Sequence, residues 1–358
     1  MYDAHSMRSQ FTRKVNLRLS PRAFLSLLAS LAFLILPFAP WAHGRPSKDA
    51  DVRAQATALF AKALAVSDLR APGSPPFEMR ATINVEQSHH EPSVVGTYLL
   101  KWVSPEKWRE EITFPNYVHI RVGGKNQYWQ SRTTQYEILP VLQLYQGLDF
   151  LKALHVWSNP AAIAALKDIK LSQKKAHGTK LNCVRMKDNG RDYCFDSVSG
   201  TLVNDALNMT EYSDFIAFGG KYFPGSIRVK GIQPPAVTLQ VNSISPLTAA
   251  DDEDFQPPQN ASVWPSCDDP GALPVIKSQA FPIYPTAEKI AHKQGAVLIY
   301  AVIGADGRLH NLSVLSAPDS ALAQSALTAL GQWEYTTETC GGTPVPVETL
   351  LYVIYSLE

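Results

Sequence analysis

Between Phe77 and Ser245 the chain is a succession of short apolar stretches separated by tight turns, and that spacing limits its architecture more than any other feature. Glu78 to Gln87, Thr97 to Val103, Lys107 to Phe114, His119 to Val122 and Val237 to Ile244 read as strands rich in β-branched and aromatic residues. Gly123-Gly124, Asn189-Gly190 and Gly219-Gly220 supply turns between such runs. Many consecutive short strands with few helices imply an antiparallel meander that curls around one core. Two helical inserts are predicted, at Val141 to Trp157 and at Ala161 to Leu166. Ahead of the strands, Val52, Ala56, Leu59, Phe60, Ala63 and Leu64 recur at helical spacing and predict one amphipathic helix from Asp49 to about Asp68. Pro72, Gly73, Pro75 and Pro76 stop it.

The first 44 residues have a different character. Arg8, Arg13, Lys14, Arg18 and Arg22 precede an apolar run from Ala23 to Ala39, and Ala42-His43-Gly44 offers small residues where a signal peptidase reads. The same residues also fit an uncleaved anchor with its basic end inside. Seventeen helical residues span about 25 Å, slightly less than a hydrocarbon core of about 30 Å. Both readings export the rest of the chain to the cell envelope, as a periplasmic protein either secreted after cleavage or anchored in the inner membrane by residues 23–39.

The cysteines agree with export. All four lie beyond the leader, and none forms a Cys-x-x-Cys pair of the zinc or redox type. Cys183 and Cys194 flank the turn-rich Lys187-Asp188-Asn189-Gly190-Arg191, as expected for a disulfide across a hairpin. Cys267 and Cys340 are then the second pair. A formal net charge of +1 argues against a general nucleic-acid binder, which normally carries a strongly basic face.

Pro246, the acidic run Asp251-Asp252-Glu253-Asp254, and prolines at 257, 258, 265, 270 and 274 predict an exposed linker over 246–281. Beyond Pro282 the order returns. A helix from Thr286 to Gln294 leads into an apolar strand from Ala296 to Ile303, a turn at Gly304-Ala305-Asp306-Gly307 and a return strand from Leu309 to Ser316. Asp319 or Ser320 caps a second helix, whose Leu322, Ala326, Leu330 and Trp333 share a face, and Val345 to Tyr355 forms the last strand. The order is α-β-β-α-β, with a three-stranded sheet packed by two helices. The chain thus divides into a leader (1–44), a helix and loop (45–76), a β-rich domain (77–245), a linker (246–281) and a small domain (282–358), in the α+β class.

This last part resembles the TonB C-terminal domain family at several linked points. Phe281-Pro282-Ile283-Tyr284-Pro285 matches the family's opening Pro-x-Tyr-Pro, and Gln294-Gly295-Ala296-Val297 its helix-ending glycine and apolar strand. Val302-Ile303-Gly304-Ala305-Asp306-Gly307-Arg308-Leu309, Val314-Leu315-Ser316-Ala317, Gln332-Trp333-Glu334-Tyr335 and Gly342-Thr343-Pro344-Val345 match its later landmarks in order. The resemblance implies an energy transducer. An extended peptide of an outer-membrane receptor adds as a strand to the open sheet edge, and an inner-membrane proton-driven motor supplies force through it. Val345, Val347 and Thr349 are the edge residues this implies, with Tyr284 and Pro285 covering the nearby entry. The family's long Pro-rich spacer is missing, and the intervening β-rich domain departs from the usual transducer plan.

That β-rich domain is similar, around Lys101-Trp102-Val103-Ser104-Pro105-Glu106-Lys107-Trp108-Arg109-Glu110-Glu111 and Tyr193-Cys194-Phe195-Asp196 with Gly200-Thr201-Leu202, to periplasmic half-barrels related to lipoprotein carriers. The resemblance implies a concave apolar face able to hold a lipid or lipoprotein acyl chain. No catalytic serine elbow, zinc helix or phosphate loop occurs. His89-His90-Glu91 lacks partner ligands for a metal, and Glu110 and Glu111 point to opposite faces of one strand. The sequence therefore predicts a non-enzymatic envelope protein with no cofactor and no metal. Strand docking is its main expected role; the alternative is a lipid or lipoprotein carrier in which the C-terminal domain only makes contacts.

Overall fold

The computed structural model describes residues 48–86, 93–176, 178–187, 191–205, 209–230, 236–248, 251–266, 274–340 and 342–357. The leader, His89-His90-Glu91, the Asn189-Gly190 turn and Cys267 fall outside these residues.

The N-terminal helix α1 (Lys48–Ser67) is followed by a meander of five strands: β1 (Phe77–Glu86), β2 (Val94–Ser104), β3 (Lys107–Phe114), β4 (Tyr117–Gly124) and β5 (Gln127–Arg132). Three helices come next, α2 (Leu139–Leu148), α3 (Phe150–Ser158) and α4 (Pro160–Ala164). A second meander contains β6 (Ile169–Ala176), β7 (Thr179–Met186), β8 (Arg191–Asp196), β9 (Leu202–Asp205) and β10 (Thr210–Ser213). The small hairpin β11 (Ile216–Phe218) and β12 (Lys221–Phe223) leads into β13 (Ser226–Val229) and β14 (Ala236–Pro246).

Strand β14 closes the arrangement by pairing antiparallel with β1, from Phe77 opposite Pro246 to Glu86 opposite Ala236. Among the described residues one thirteen-stranded antiparallel sheet results, in the order β15-β5-β4-β3-β2-β1-β14-β13-β10-β9-β8-β7-β6, where β15 is Ser262–Pro265. Strands β5 and β6 are successive in the chain but lie near opposite ends of this sheet, so the helical connection must cross from one side to the other. It does so over the buried face.

Alternation explains which face that is. Phe77, Met79, Ala81, Ile83 and Val85 of β1 and Val237, Leu239 and Val241 of β14 point into a core shared with Val141, Leu144, Phe150, Leu151 and Leu154 of α2 and α3. Helix α1 adds Ala56, Phe60 and Ala63 to the same core. Phe60 lies edge-on to Tyr193 at 5.2 Å and to Phe195 at 5.1 Å. The single helix expected over Val141 to Trp157 is two, broken at Asp149, which leaves Phe150 free to turn into the core beside Tyr212 at 5.2 Å.

The segment expected as a free linker differs from that expectation over 251–266. A 3-10 turn at Asp252–Phe255 is held against the sheet by Lys107–Asp252 (2.6 Å) and Lys101–Asp254 (2.7 Å), and the Phe255 ring sits 4.9 Å under the Lys107 ammonium. Strand β15 then pairs with β5. The acidic run carries charges that match two lysines on neighbouring strands, and this complementarity is invisible to a composition argument.

The C-terminal domain comprises β16 (Ile276–Ser278), α5 (Thr286–Ile290), β17 (Gly295–Ile303), β18 (Leu309–Ser316), α6 (Ser320–Leu330), β19 (Glu334–Tyr335), β20 (Glu338–Cys340), β21 (Thr343–Val345) and β22 (Val347–Tyr355). Helix α5 is shorter than expected, because His292 adopts a left-handed φ of 52°. The Asp319 carboxylate caps α6 by accepting from the Ala321 amide at 2.7 Å. Val297 and Ile299 of β17, Leu322, Ala326 and Leu330 of α6, and Val353 and Tyr355 of β22 form its core. The sheet order is β18-β17-β22, so β22 is an edge.

Candidate functional site

The edge strand comes first. β22 pairs with β17 along its whole length, Val347 opposite Ile303 and Thr349 opposite Ala301, and its other side has no strand neighbour among the described residues. Val345, expected on the same strand, lies instead in the β20–β21 hairpin opposite Glu338 and is buried. Pro346 separates the two strands, since it has no N–H to carry a ladder through.

Tyr284 and Pro285 stand at the other end. The Tyr284 ring packs edge-on against Tyr355 at 5.2 Å, its hydroxyl donates to the Lys293 carbonyl, and Pro285 precedes α5. Nine residues of β22 span roughly 27 Å at strand rise, so the candidates fall at the two ends of one edge, not in one cluster. Phe281, Ile283 and Ile290, beside Tyr284 in sequence, are strongly exposed.

Of the cysteines, Cys183 and Cys194 are directly opposite on β7 and β8 and are joined in a disulfide. Cys340 is disulfide-bonded as well, and its expected partner, Cys267, lies outside the described residues.

A second feature was not legible in the sequence. The inner face of the half-barrel carries a chain of polar side chains. Glu110, on β3, accepts from the Tyr98 hydroxyl at 2.8 Å and from Tyr145 of α2 at 3.1 Å, and it pairs with Arg121 of β4. The Tyr145 hydroxyl also meets Nδ1 of His119 at 3.1 Å, and that nitrogen lies 3.2 Å from Glu137. Glu137, on the loop after β5, accepts from Tyr117 and from Arg132 Nη1 at 3.0 Å.

The chain then leaves the half-barrel. The same Arg132 nitrogen donates to Glu348 of β22 at 2.7 Å, and Glu348 also accepts from the Tyr300 hydroxyl of β17. Burial, aided by the nearby Arg121 and Arg132 cations, pulls His119 down to about 2, so its imidazole is neutral. Burial pushes Glu137 above the usual carboxylate range despite its hydrogen bond from Tyr117 and its pairing with Arg132. Period-two alternation from Ile112 and Phe114 does place Glu110 inward, but nothing local marks Glu137 or Glu348 as its distant relatives.

Glu110, Arg121, Tyr98 and Tyr145 also line a cavity of about 90 Å³, with Phe77, Met79, Leu100, Leu151 and Phe223 among its apolar walls. An engineered apolar cavity of about 150 Å³ holds one benzene, so this space is too small for an acyl chain while α1 to α3 stay packed. Among the described residues no three His, Cys, Asp or Glu side chains are grouped to hold a metal ion, and no helix is long and apolar enough to cross a membrane.

Residues 281–357 match the family model described as the Gram-negative bacterial TonB protein C-terminal domain. No curated protein matches the chain. The fold is similar to a putative outer membrane lipoprotein-sorting protein domain from Vibrio parahaemolyticus, at 10% identity and a TM-score of 0.35 over 57% of this chain and 97% of that one. It is also similar to a LolA superfamily protein from Nitrosomonas europaea, at 12% identity and 0.30 over 56% and 97%. A DUF1329 family protein from Desulfovibrio piger aligns at 9% identity and 0.35, again over 56% and 97%.

Proposed function

We propose that the chain is a non-enzymatic cell-envelope protein whose C-terminal domain binds an extended peptide segment of an outer-membrane receptor by strand addition to β22. The observation that carries this reading is the edge position of β22, which has no second strand neighbour among the described residues, in a domain matched to the TonB C-terminal family. Unpaired N–H and C=O groups along an edge are a template for a further strand, and alternate side chains then select the partner. The half-barrel, with the 251–266 segment docked on its sheet, is the body that carries this domain. A lipid-carrier role would require α1 to α3 to lift off the concave face, because their apolar side chains fill it.

The test uses the full exported chain and peptides from the periplasmic termini of outer-membrane receptors, measured by calorimetry. Binding that is lost when alternate peptide amides are N-methylated, and retained when the other set is methylated, supports a paired strand. Equal affinity for both methylated sets refutes strand addition. Sequencing the N-terminus of the mature protein decides the energy-coupling part. A start at Arg45 rules out a self-anchored transducer, since proton-motive work needs a membrane tether.

A further inference from the structure

The contact between the two domains has an unusual distribution of charge. Arg132, with a side chain 10% exposed, is shared between two carboxylates, Glu137 of its own domain at 2% and Glu348 of the C-terminal domain at 22%. No strand of the half-barrel sheet pairs with a C-terminal strand among the described residues. The contact's ring pair is Tyr136 against Tyr300, with centroids 6.4 Å apart, and Tyr300 is 1% exposed.

A buried ion pair normally cannot be opened, because separation strands a charge without a partner. Here it strands none. If Glu348 withdraws, Arg132 keeps Glu137 at 3.0 Å and the Gln135 carbonyl at 3.5 Å. Glu348 for its part keeps the hydroxyl of Tyr300, which belongs to its own domain. Each side of the seam retains a hydrogen-bond partner for its charge after parting, while Glu137 and Tyr117 remain satisfied inside the half-barrel. Polar interfaces between domains of one chain behave as reversible contacts.

We infer that the Arg132–Glu348 contact is a reversible latch, and that the face of the C-terminal sheet bearing Tyr300 and Glu348 is a docking surface for the chain's own half-barrel. The arrangement described here is its closed state. Opening swings the C-terminal domain away from the half-barrel, to which the chain after β15 still tethers it, and uncovers Tyr300 without unfolding either body. The inference does not depend on which peptide β22 binds.

Glu348 is the residue to change, because it lies outside the half-barrel and Arg132 keeps Glu137 in its absence. In the full exported chain, Glu348→Arg sets two cations against each other. Loss of a charge-assisted hydrogen bond shifts an equilibrium by roughly ten- to hundredfold. Hydroxyl-radical footprinting should therefore show Tyr300 oxidised at least tenfold faster, while Tyr193 in the half-barrel core and Tyr355 in the C-terminal core keep wild-type rates. Small-angle scattering should show a larger radius of gyration. Glu348→Gln should shift both readouts in the same direction by less, and it decides the matter if Glu348→Arg also exposes Tyr355 by unfolding its domain. Wild-type labelling of Tyr300 together with an unchanged scattering profile in Glu348→Gln and a folded Glu348→Arg overturns the latch. So does a variant in which Tyr300 and Tyr193 become labelled together, since the seam would then be part of one cooperative core.

Discussion

Removing the Phe60 ring tests whether α1 is a structural wall of the half-barrel or an appendage laid on it. The ring is fully buried, meets Tyr193 and Phe195 edge-on, and lies 6.5 Å from Trp157 of α3. Burial of a phenylalanine alone contributes about 1.5–3 kcal/mol. The cavity left among aromatic neighbours that cannot collapse, together with two lost edge-to-face contacts, brings the expected cost of Phe60→Ala to about 3–5 kcal/mol. Polar ties such as Arg53 to the Ile163 carbonyl at 2.7 Å and Lys221 to the Ala65 carbonyl at 2.7 Å remain, so α1 should stay near its place while losing its grip. Urea unfolding of the exported chain, followed by far-ultraviolet circular dichroism, measures the loss; amide exchange across residues 52–64 locates it. Phe60→Leu, which refills part of the space, should recover more than half of it. A cost for Phe60→Ala below about 1.5 kcal/mol would refute the reasoning, because it would mean that the aromatic cluster closes without the ring and that α1 does not seal the concave face.

Two further outcomes follow from the same packing. Replacing Cys183 and Cys194 together by serine should cost about 3 kcal/mol on the chain-entropy model for an eleven-residue separation, read as a lower urea midpoint with an intact fold in water. The second concerns the docked acidic turn: hydrogen bonds from Lys107 and Lys101 hold Asp252 and Asp254 below the usual carboxylate range. Their folded values lie below the unfolded ones, so their contribution is complete above about pH 4 and fades as the pH falls through the folded values. Pepsin cleavage between 251 and 266, scored at each pH against an unfolded control, should accordingly rise at acid pH in wild type, and Lys101→Ala with Lys107→Ala should admit chymotrypsin at Phe255 already at neutral pH; resistance in both cases would mean that β15 alone holds the segment.

How much of this was readable from the sequence depends on the range over which each feature is decided. Strand Lys107–Phe114 and return strand Leu309–Ser316 fall where their alternation places them, because period and turn chemistry are local. The Cys183–Cys194 bridge was legible for the same reason: one hairpin sets its register. Breaks inside elements were harder. Asp149 interrupts a run that is apolar enough to read as one helix, and beyond the break Phe150 meets Tyr212 and Phe223 across the core, contacts that no local pattern announces. The docking of 251–266 was missed because an acidic, proline-rich stretch has the composition of a solvated linker until Lys101 and Lys107 are brought opposite it.

The seam lies further still from what a single sequence can disclose. Arg132 and Glu348 are separated by 216 residues, and Tyr300 reads as one more apolar position in a strand that is buried from Val297 to Ile303. That continuous burial was itself a signal. The central strand of a three-stranded sheet packed by helices on one face should leave its other face wet, yet Leu298, Tyr300 and Val302 alternate with Val297, Ile299 and Ala301 and all six are buried. A central strand apolar on both faces in so small a sheet requires a second cover. The half-barrel rim, through Arg132 and Tyr136, contributes to that cover at Tyr300. The contact at Tyr300 is itself made by a ring pair and a guanidinium shared between two carboxylates, with each charge provided for on both sides, and polar contacts of this kind between domains of one chain are reversible.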